Sequence, residues 1–154
     1  LEMLENLKRW YKFKFEIIYF YNVYGPKQIS TGSMATVIGI FENLYINKKP
    51  LTIVRPGTQS RRFTHISDTI QTCFYAWKTN KCRHYSISNK KSYSIFKVAK
   101  MFKSKIKLLP KRKGERYSSA LANINLSNKV HKHFGTIQLS DYIDNFLRNH
   151  KKLR

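Results

Sequence analysis

The sequence predicts an α/β fold with a parallel sheet, and one stretch carries most of that prediction. Residues 17–21 (IIYFY) would place apolar side chains on both faces of a strand, as expected of a strand covered by helices on both sides. The run stops at Asn22, Gly25 and Pro26, which predict a sharp turn. Ligands of open α/β sheets bind outside the end of such a strand. The amide of Asn22 either binds a ligand there or caps its own backbone in an Asx-turn.

Helices and strands alternate on both sides of this turn. Residues 1–11 have apolar side chains at helical spacing but no capping residue, so we expect the chain to begin inside a helix. The segments up to residue 66 have the patterns of a helix at 33–47 and of short strands at 51–54 and 62–66.

The next predicted element is a helix that ends at Trp77. Ser67 is a good N-cap for it, and Asp68 complements the helix dipole in the first turn. The apolar residues Ile70, Phe74 and Trp77 are expected to face the core.

The C-terminal part predicts two more strands and three more helices. The strands are expected at 84–88 and 106–109, and the helices after Ser92 or Ser94, at 125–134 and at 140–148. Val98, Met101 and Phe102 are expected to face inward from the first of these helices, and Gly135 to end the second. A charged loop is expected at 111–116, and a disordered tail from residue 151.

The charge of the chain is strongly unbalanced. There are 30 Lys and Arg against 8 Asp and Glu among 154 residues, which gives a formal net charge of +22. Such an excess favours polyanionic partners or anionic substrates. Because the lysines are scattered through every predicted element, the alternative is a solvated surface of biased composition. The hydrophobic share of 42% excludes a disordered chain and permits one domain with a core.

Neither a disulfide framework nor a metal site is predicted. Cys73 and Cys82 are too few and not closely spaced, so a reducing cytoplasm is the expected location. His131 and His133 would lie on different sides of a helix, and no Cys or acid is suitably spaced to join them. No apolar run of about 18 residues predicts a membrane span.

Residues 19–26 (YFYNVYGP) resemble the aromatic-Asn-x-Tyr-Gly-Pro segment of the extended short-chain dehydrogenase/reductase family, especially its nucleotide-sugar epimerases and dehydratases. Further matches follow in the family's order at 49–53 (KPLTI), 57–68 (GTQSRRFTHISD), 112–115 (RKGE) and 125–135. The resemblance covers nearly the whole chain, but only the C-terminal part of the sequences of this family. Within the family, the chain is similar to UDP-glucose 4-epimerase in particular.

This resemblance implies the C-terminal part of an extended Rossmann-type fold, with the last strands of the parallel sheet and a small α/β substrate-binding lobe. Residues 1–32 would end the nucleotide-binding domain, residues 33–150 would be mainly the substrate-binding lobe, and residues 151–154 a tail. The implied function is the substrate-binding half of an NAD-dependent nucleotide-sugar epimerase of the UDP-hexose 4-epimerase type. A dehydratase or decarboxylase of the same family is the first alternative, and a basic nucleic-acid-binding module is the second. A cytoplasmic homodimer that binds nucleotide sugar is expected, with neither nucleic acid nor membrane as a partner.

The resemblance also assigns substrate-binding residues. Arg61, in the Gln-x-Arg-x-aromatic segment, would grip the substrate diphosphate, and Arg112 would help it. Glu115 would reach the nucleoside ribose, and Asn22 would bind the sugar-phosphate end. Arginine suits phosphate because its fork donates two parallel hydrogen bonds. From composition alone, a solvated side chain is the alternative for each arginine.

The resemblance places Phe20 and Tyr21 near the nicotinamide of NAD, but other parts of the cofactor site and the catalytic pair are missing. The family's Tyr-x-x-x-Lys helix precedes the Asn-x-Tyr-Gly-Pro strand, and alignment through Asn22 puts its Lys about one helical turn before Leu1. No Gly-rich dinucleotide fingerprint occurs in these residues. The stray Tyr-x-x-x-Lys matches at 45–49 and 93–97 are rejected because the required strand does not follow them. We therefore expect no catalytic residue here and no activity from these residues alone.

The chain departs from the family pattern at several positions. Tyr19 stands where the family usually has Arg, and Arg62 and Ser67 replace acids. Residues 55–57 (RPG) replace a Gly-Asp-Gly-like turn. Val54 takes a position near the base that is often aromatic in the epimerases. These departures leave the identity of the nucleotide open.

Overall fold

The computed structural model describes residues 1–81, 84–111 and 130–151, which form five helices and nine strands. In chain order these are α1 (Glu2–Tyr11), β1 (Ile17–Phe20), β2 (Val23–Tyr24), α2 (Val37–Ile46), β3 (Leu51–Val54), β4 (Ser60–Arg62), β5 (Thr64–His65), α3 (Ile66–Thr79), β6 (His84–Asn89), β7 (Ser92–Ser94), α4 (Ile95–Met101), β8 (Ile106–Leu109), β9 (Val130–Gly135) and α5 (Leu139–Lys151). No helix among the described residues is long and apolar enough to cross a membrane.

The strands form one three-stranded sheet and three two-stranded sheets. The order β1-β6-β9 is parallel throughout, with β1 at an edge. The pairs β2–β5 and β3–β8 are also parallel, whereas β4 and β7 pair antiparallel. This arrangement, with helices between the strands, confirms the predicted α/β fold with a parallel sheet.

The hydrophobic core lies among α2, β3, α4 and α5. Phe102 is fully buried, and its ring meets the rings of Phe41 and Phe146 with centroids 5.8 and 6.0 Å apart. Such aromatic contacts add to the area that these side chains bury. Val98, which the sequence predicts to face inward, is buried beside them, as are Ile143 and its neighbours on α5.

The prediction for the face of α3 is wrong. Its N-cap is His65, whose Nδ1 accepts from Ser67 N at 3.2 Å, so the helix starts at Ile66. Ile70, Phe74 and Trp77 are exposed by 58, 58 and 71% of their surfaces. The buried face consists of small or polar residues, namely Asp68, Thr69, Thr72 and Ala76. Burial of the threonines costs little because their hydroxyls donate to carbonyls of the preceding turn.

Two glycines allow α3 to approach its neighbours closely. A Cβ at Gly25 would lie 2.6 Å from Cγ2 of Ile66, and one at Gly135 would lie 2.7 Å from Oδ2 of Asp68. The buried Asp68 carboxylate accepts from Thr136 Oγ1 and from Ile137 N, both at 3.1 Å. The first turn of α3 thereby joins the turn after β2 to the connection between β9 and α5.

The predicted helix at 125–134 is wrong over residues 130–134, where the structure has β9; the rest lies outside the described residues. Residues 131–134 (HKHF) alternate between half-buried and exposed, which suits a strand. His131 and His133 therefore share one face, and their ring centroids lie 5.6 and 5.7 Å from that of Tyr85. Gly135 accordingly ends a strand and not a helix.

Several predicted boundaries shift for local reasons. α2 starts four residues later than predicted because Thr36 is its cap, with Oγ1 accepting from Gly39 N at 3.1 Å. The predicted strand at 62–66 divides at the buried Phe63, where the chain changes partner from β7 to β2. Of the two candidate caps for α4, Ser94 is the one used. Residue 151 belongs to α5, and residues 152–154 lie outside the described part.

Candidate functional site

A cavity of about 480 Å³ opens at the carboxyl ends of β3 and β8. Its wall includes Val54, the last residue of β3, and Leu109, the last residue of β8. It also includes Asn22 and Arg61, two of the predicted substrate-binding residues, which lie far apart in sequence. We call it the Arg61 cavity, because Arg61 is the charged residue on its wall.

Asn22 forms the turn between β1 and β2 and adopts a left-handed backbone conformation, with φ of 41°. Asparagine tolerates this conformation better than most residues. Its side-chain Nδ2 donates to Arg62 O at 3.0 Å, and its own carbonyl accepts from Thr64 N at 3.3 Å. The amide therefore joins the turn to the segment that carries Arg61, instead of capping its own backbone.

Arg61 and Arg62 are adjacent on β4, but their side chains contact different parts of the structure. Arg61 is half-buried on the cavity wall, and its Nη1 donates to Ser60 O at 2.8 Å. Arg62 instead reaches the turn after β6, where its Nη1 donates to Asn89 O at 3.0 Å and to Lys90 O. Arg62 thus connects two parts of the fold, while Arg61 presents a cation to the cavity.

The N-terminus of α2 forms another part of the cavity wall. Val37 and Ile38 line the cavity, and their backbone N–H groups have no acceptor within the helix. A helix N-terminus carries about half a positive charge and favours anions. The cavity wall thus combines this partial charge with that of Arg61, and none of the described residues that line it is acidic.

A chain of hydrogen bonds holds the start of α2 in place. Thr36 Oγ1 donates to Gln28 Oε1 at 2.8 Å, and Gln28 Nε2 donates to Glu42 Oε2 at 2.9 Å. Tyr142 OH on α5 donates to Glu42 Oε1 at 2.8 Å. Burial raises the pKa of the Glu42 carboxyl, and the two hydrogen bonds it accepts oppose that shift. Burial also raises the pKa of Tyr142, so its hydroxyl remains a donor at neutral pH.

His65 belongs to the same part of the structure. Its ring packs against Tyr24 and Tyr142, with centroids 5.3 and 5.7 Å away. Burial lowers the pKa of His65, while the charge of Asp68 works in the opposite direction. A neutral ring agrees with the role of Nδ1 as the acceptor that caps α3.

The sequence reasoning missed Thr36, Thr52 and Gln59 as residues of the cavity wall. Gln59 is 3% exposed, and its Nε2 donates to Val54 O at 3.2 Å, which fixes the turn between β3 and β4. Its place in the Gln-x-Arg segment was a usable signal. Thr36 was recognisable as a cap residue before an apolar stripe, whereas nothing in the sequence marked Thr52.

Phe20 and Tyr21, which were predicted to lie near the nicotinamide, are not on this wall. Phe20 is 54% exposed at the end of β1, and the neighbouring Tyr21 is half-buried; neither lines the cavity. Arg112 and Glu115 lie outside the described residues. Within the part of the chain that is described, no three His, Cys, Asp or Glu side chains are grouped so that they could hold a metal ion.

The model of one protein family matches more than half of this chain. The family model of the NAD dependent epimerase/dehydratase family matches residues 1–88. Comparison with curated protein sequences finds no match.

Solved structures share the fold of this chain. UDP-glucose 4-epimerase from Thermotoga maritima, solved with UDP-glucose, is 19% identical with a TM-score of 0.78, and the match covers 99% of this chain and 50% of that one. UDP-glucuronic acid 4-epimerase from Bacillus cereus, with UDP-glucuronic acid and NAD, is 23% identical with a TM-score of 0.76, over 99% and 50%. The dTDP-glucose 4,6-dehydratase DesIV from Streptomyces venezuelae is 16% identical with a TM-score of 0.73, over 98% and 48%. The chain therefore spans about half the length of these enzymes.

The fold and the cavity at its strand ends define an α/β protein of the Rossmann type. The chain belongs to the NAD-dependent epimerase/dehydratase family, whose model matches more than half of its residues.

Proposed function

We propose that this chain is the substrate-binding half of an NAD-dependent nucleotide-sugar epimerase, of the UDP-hexose 4-epimerase type. The observation that carries the proposal is the Arg61 cavity, in which a cationic side chain and a helix N-terminus share a wall. The family supports this choice, since its epimerases were solved with UDP-glucose and UDP-glucuronic acid.

The diphosphate of the substrate would lie against Arg61. A guanidinium offers two parallel donors to phosphate oxygens, and the start of α2 adds a partial positive charge at the same wall. The nucleoside would occupy the apolar part beside Val54 and Leu109. Asn22 would meet the sugar-phosphate end, and we assign Arg112 and Glu115 the accessory diphosphate and ribose contacts that the family resemblance implies.

NAD is the cofactor proposed for the complete protein, and this chain fits only one end of its site. Phe20 and Tyr21 follow one another at the carboxyl end of a parallel edge strand, where a nicotinamide could rest. The Gly-rich loop that would hold the pyrophosphate is absent from the 154 residues. When bound, NAD would accept and return a hydride; the residues of this chain would bind and orient the sugar nucleotide.

The contribution of this half to catalysis would be positional. A substrate fixed by its diphosphate loses translational and rotational freedom before the reaction, which lowers the barrier for the chemical step. In the complete protein, a cytoplasmic homodimer would carry two such sites. Among the described strands, β1 lies at an edge of its sheet, and there the strands of a nucleotide-binding half would continue the sheet.

A dehydratase acting on a similar substrate is the second candidate, because DesIV shares the fold over nearly the whole chain. A decarboxylase of the same family remains a third. The Arg61 cavity would hold the diphosphate in all of them. The keto-sugar or epimeric sugar released by the complete protein distinguishes these reactions.

The test compares nucleotide sugar with nucleic acid. We expect UDP-glucose, but not glucose, to raise the melting temperature of the chain, because a ligand that binds only the folded state stabilises it by about 2.7 kcal/mol at 100 times its dissociation constant. Retention on immobilised DNA should be weak and lost at moderate salt. Strong retention on DNA, with no thermal shift by any nucleotide sugar, would replace the proposal with a nucleic-acid-binding module.

A further inference from the structure

A second cavity, of about 500 Å³, lies at the other end of the β3–β8 pair from the Arg61 cavity. Residues 48–50, in the connection from α2 to β3, form one side, and residues 102–105, in the connection from α4 to β8, form the other. Because β3 and β8 pair in parallel, with Leu51 opposite Ile106, the two loops lie side by side. A backbone hydrogen bond of 2.8 Å from Leu51 N to Lys105 O joins them.

Four exposed lysines border this cavity, which we call the lysine groove. They are Lys48, Lys49, Lys103 and Lys105. The other lining residues are Tyr45, Pro50, Phe102, Ser104 and Leu147. Among the residues that the structure describes on this wall, the four lysines are the charged ones and none is acidic.

The backbone beneath the lysines is held in place. The N–H groups of Lys48 and Lys49 donate back into the last turn of α2, with bonds of 3.1 and 2.9 Å. Lys103 N likewise donates to Lys100 O at 3.1 Å in the last turn of α4. The groove is therefore built on two capped helix ends and two paired strands, and not on a free loop.

Helix dipoles account for only part of this charge. Lysine is favoured at a helix C-terminus, where the dipole amounts to about half a negative charge. The ends of α2 and α4 together supply about one negative charge, against the four positive charges of the groove. An excess of about three charges is left for a ligand.

We propose that the lysine groove binds a compact polyphosphorylated anion. Lysine is a suitable phosphate ligand because its ammonium needs no fixed approach geometry. A monophosphate carries too little charge to balance the four lysines. A nucleic acid would suit cations spread along a surface, whereas these four lysines border one cavity of the size of a small-molecule site. The groove and the Arg61 cavity would then be two separate anion sites, at opposite ends of the same pair of strands.

The test is calorimetric titration of the full chain with sodium tripolyphosphate. All proteins carry Arg61→Gln, so that the Arg61 cavity does not add a second anion site. One variant has Gln at the four groove positions. The matched control has Gln at four exposed lysines elsewhere, namely Lys14, Lys78, Lys81 and Lys132. Both sets lower the formal charge by four.

We expect the groove variant to bind tripolyphosphate about tenfold or more weakly, and the control variant to stay within about threefold of the parent. Equal losses in both variants would overturn the proposal, because binding would then follow net charge alone. A labelled 20-nucleotide single-stranded DNA is the second probe. If the groove substitutions weakened DNA binding while tripolyphosphate did not bind the parent, the groove would be a nucleic-acid contact and the compact ligand would be excluded. Melting curves confirm that the compared chains are equally folded.

Discussion

Arg61 and Arg62 allow ligand binding to be separated from folding by two adjacent substitutions. Arg61 lies on the cavity wall, where its Nη1 donates to the backbone oxygen of the neighbouring Ser60, and Arg61→Ala removes the cation from that wall. A charge-assisted contact contributes about 1.5–3 kcal/mol. Its loss should raise KM for nucleotide sugar by about tenfold to 150-fold in a protein restored to full length.

Arg62→Ala should instead lower the stability of the protein and leave KM almost unchanged. Its guanidinium joins β4 to the carbonyls of Asn89 and Lys90, and Asn89 is 3% exposed, so the substitution leaves an enclosed carbonyl short of a donor. The expected cost is about 1–3 kcal/mol of the free energy of unfolding. At about 2–4 °C per kcal/mol, the melting temperature should fall by several degrees while KM stays within about twofold.

The assay is steady-state kinetics and thermal unfolding on both variants of the restored protein. The reasoning is refuted if Arg61→Ala leaves KM unchanged and lowers the melting temperature. That pattern would make Arg61 a structural residue, and the anion would have to bind elsewhere. Arg62→Ala serves as the control for any general effect of losing a positive charge on β4.

Three further predictions follow from the same structure. The 154 residues alone should not turn over UDP-glucose in a coupled assay, because they have no Gly-rich fingerprint and no Tyr-x-x-x-Lys pair on a helix that leads into the strand before Asn22. The isolated chain should bind a hydrophobic fluorescent dye strongly, since Phe20 on the edge strand and Trp77 on α3 are 54 and 71% exposed, and co-expression with a matching nucleotide-binding half should suppress that signal. His65→Asn should reduce the loss of melting temperature between pH 7 and pH 5. The fold lowers the pKa of His65 below its ordinary 6.5, so its contribution is complete above that pH and is lost as the pH falls.

Each of these has a result that contradicts it. Turnover by the chain alone would show that it contains a catalytic site of its own. A monodisperse monomer with a sharp melt and no dye signal would show a self-sufficient domain. For His65, asparagine is itself a good N-cap and does not titrate, so an unchanged pH dependence would assign the effect to another group. His133, whose pKa burial also lowers, would be the first to test.

The parts of the fold that could be predicted are those where local pattern and tertiary environment agree. The strand at 51–54 and the strand at 106–109 occur as predicted, because both are short apolar runs between breakers. Family resemblance, not periodicity, drew attention to Arg61, and the structure brings it to the same cavity as Asn22.

The wrong predictions concern elements whose burial or secondary structure depends on partners that are distant in sequence. On α3, the stripe of Ile70, Phe74 and Trp77 has helical spacing, but the opposite face is buried because Asp68 finds donors 68 and 69 residues away. On β9, the order His-Lys-His was compatible with a helix or a strand, and the pairing with β6 decided it. Neither partner can be identified from a local window of sequence.

The position of α5 also bears on how the chain folds during synthesis. This helix supplies core residues, and its Tyr142 bonds Glu42 across 100 residues of sequence. At a translation rate of about 5–20 residues per second, Glu42 waits on the order of 5–20 s before that partner is made. Until α5 is made, the apolar faces of α2 and, once it is synthesised, of α4 lack the cover that α5 supplies. Transiently exposed apolar surface of this kind promotes aggregation. Closure of the core therefore waits for the synthesis of α5.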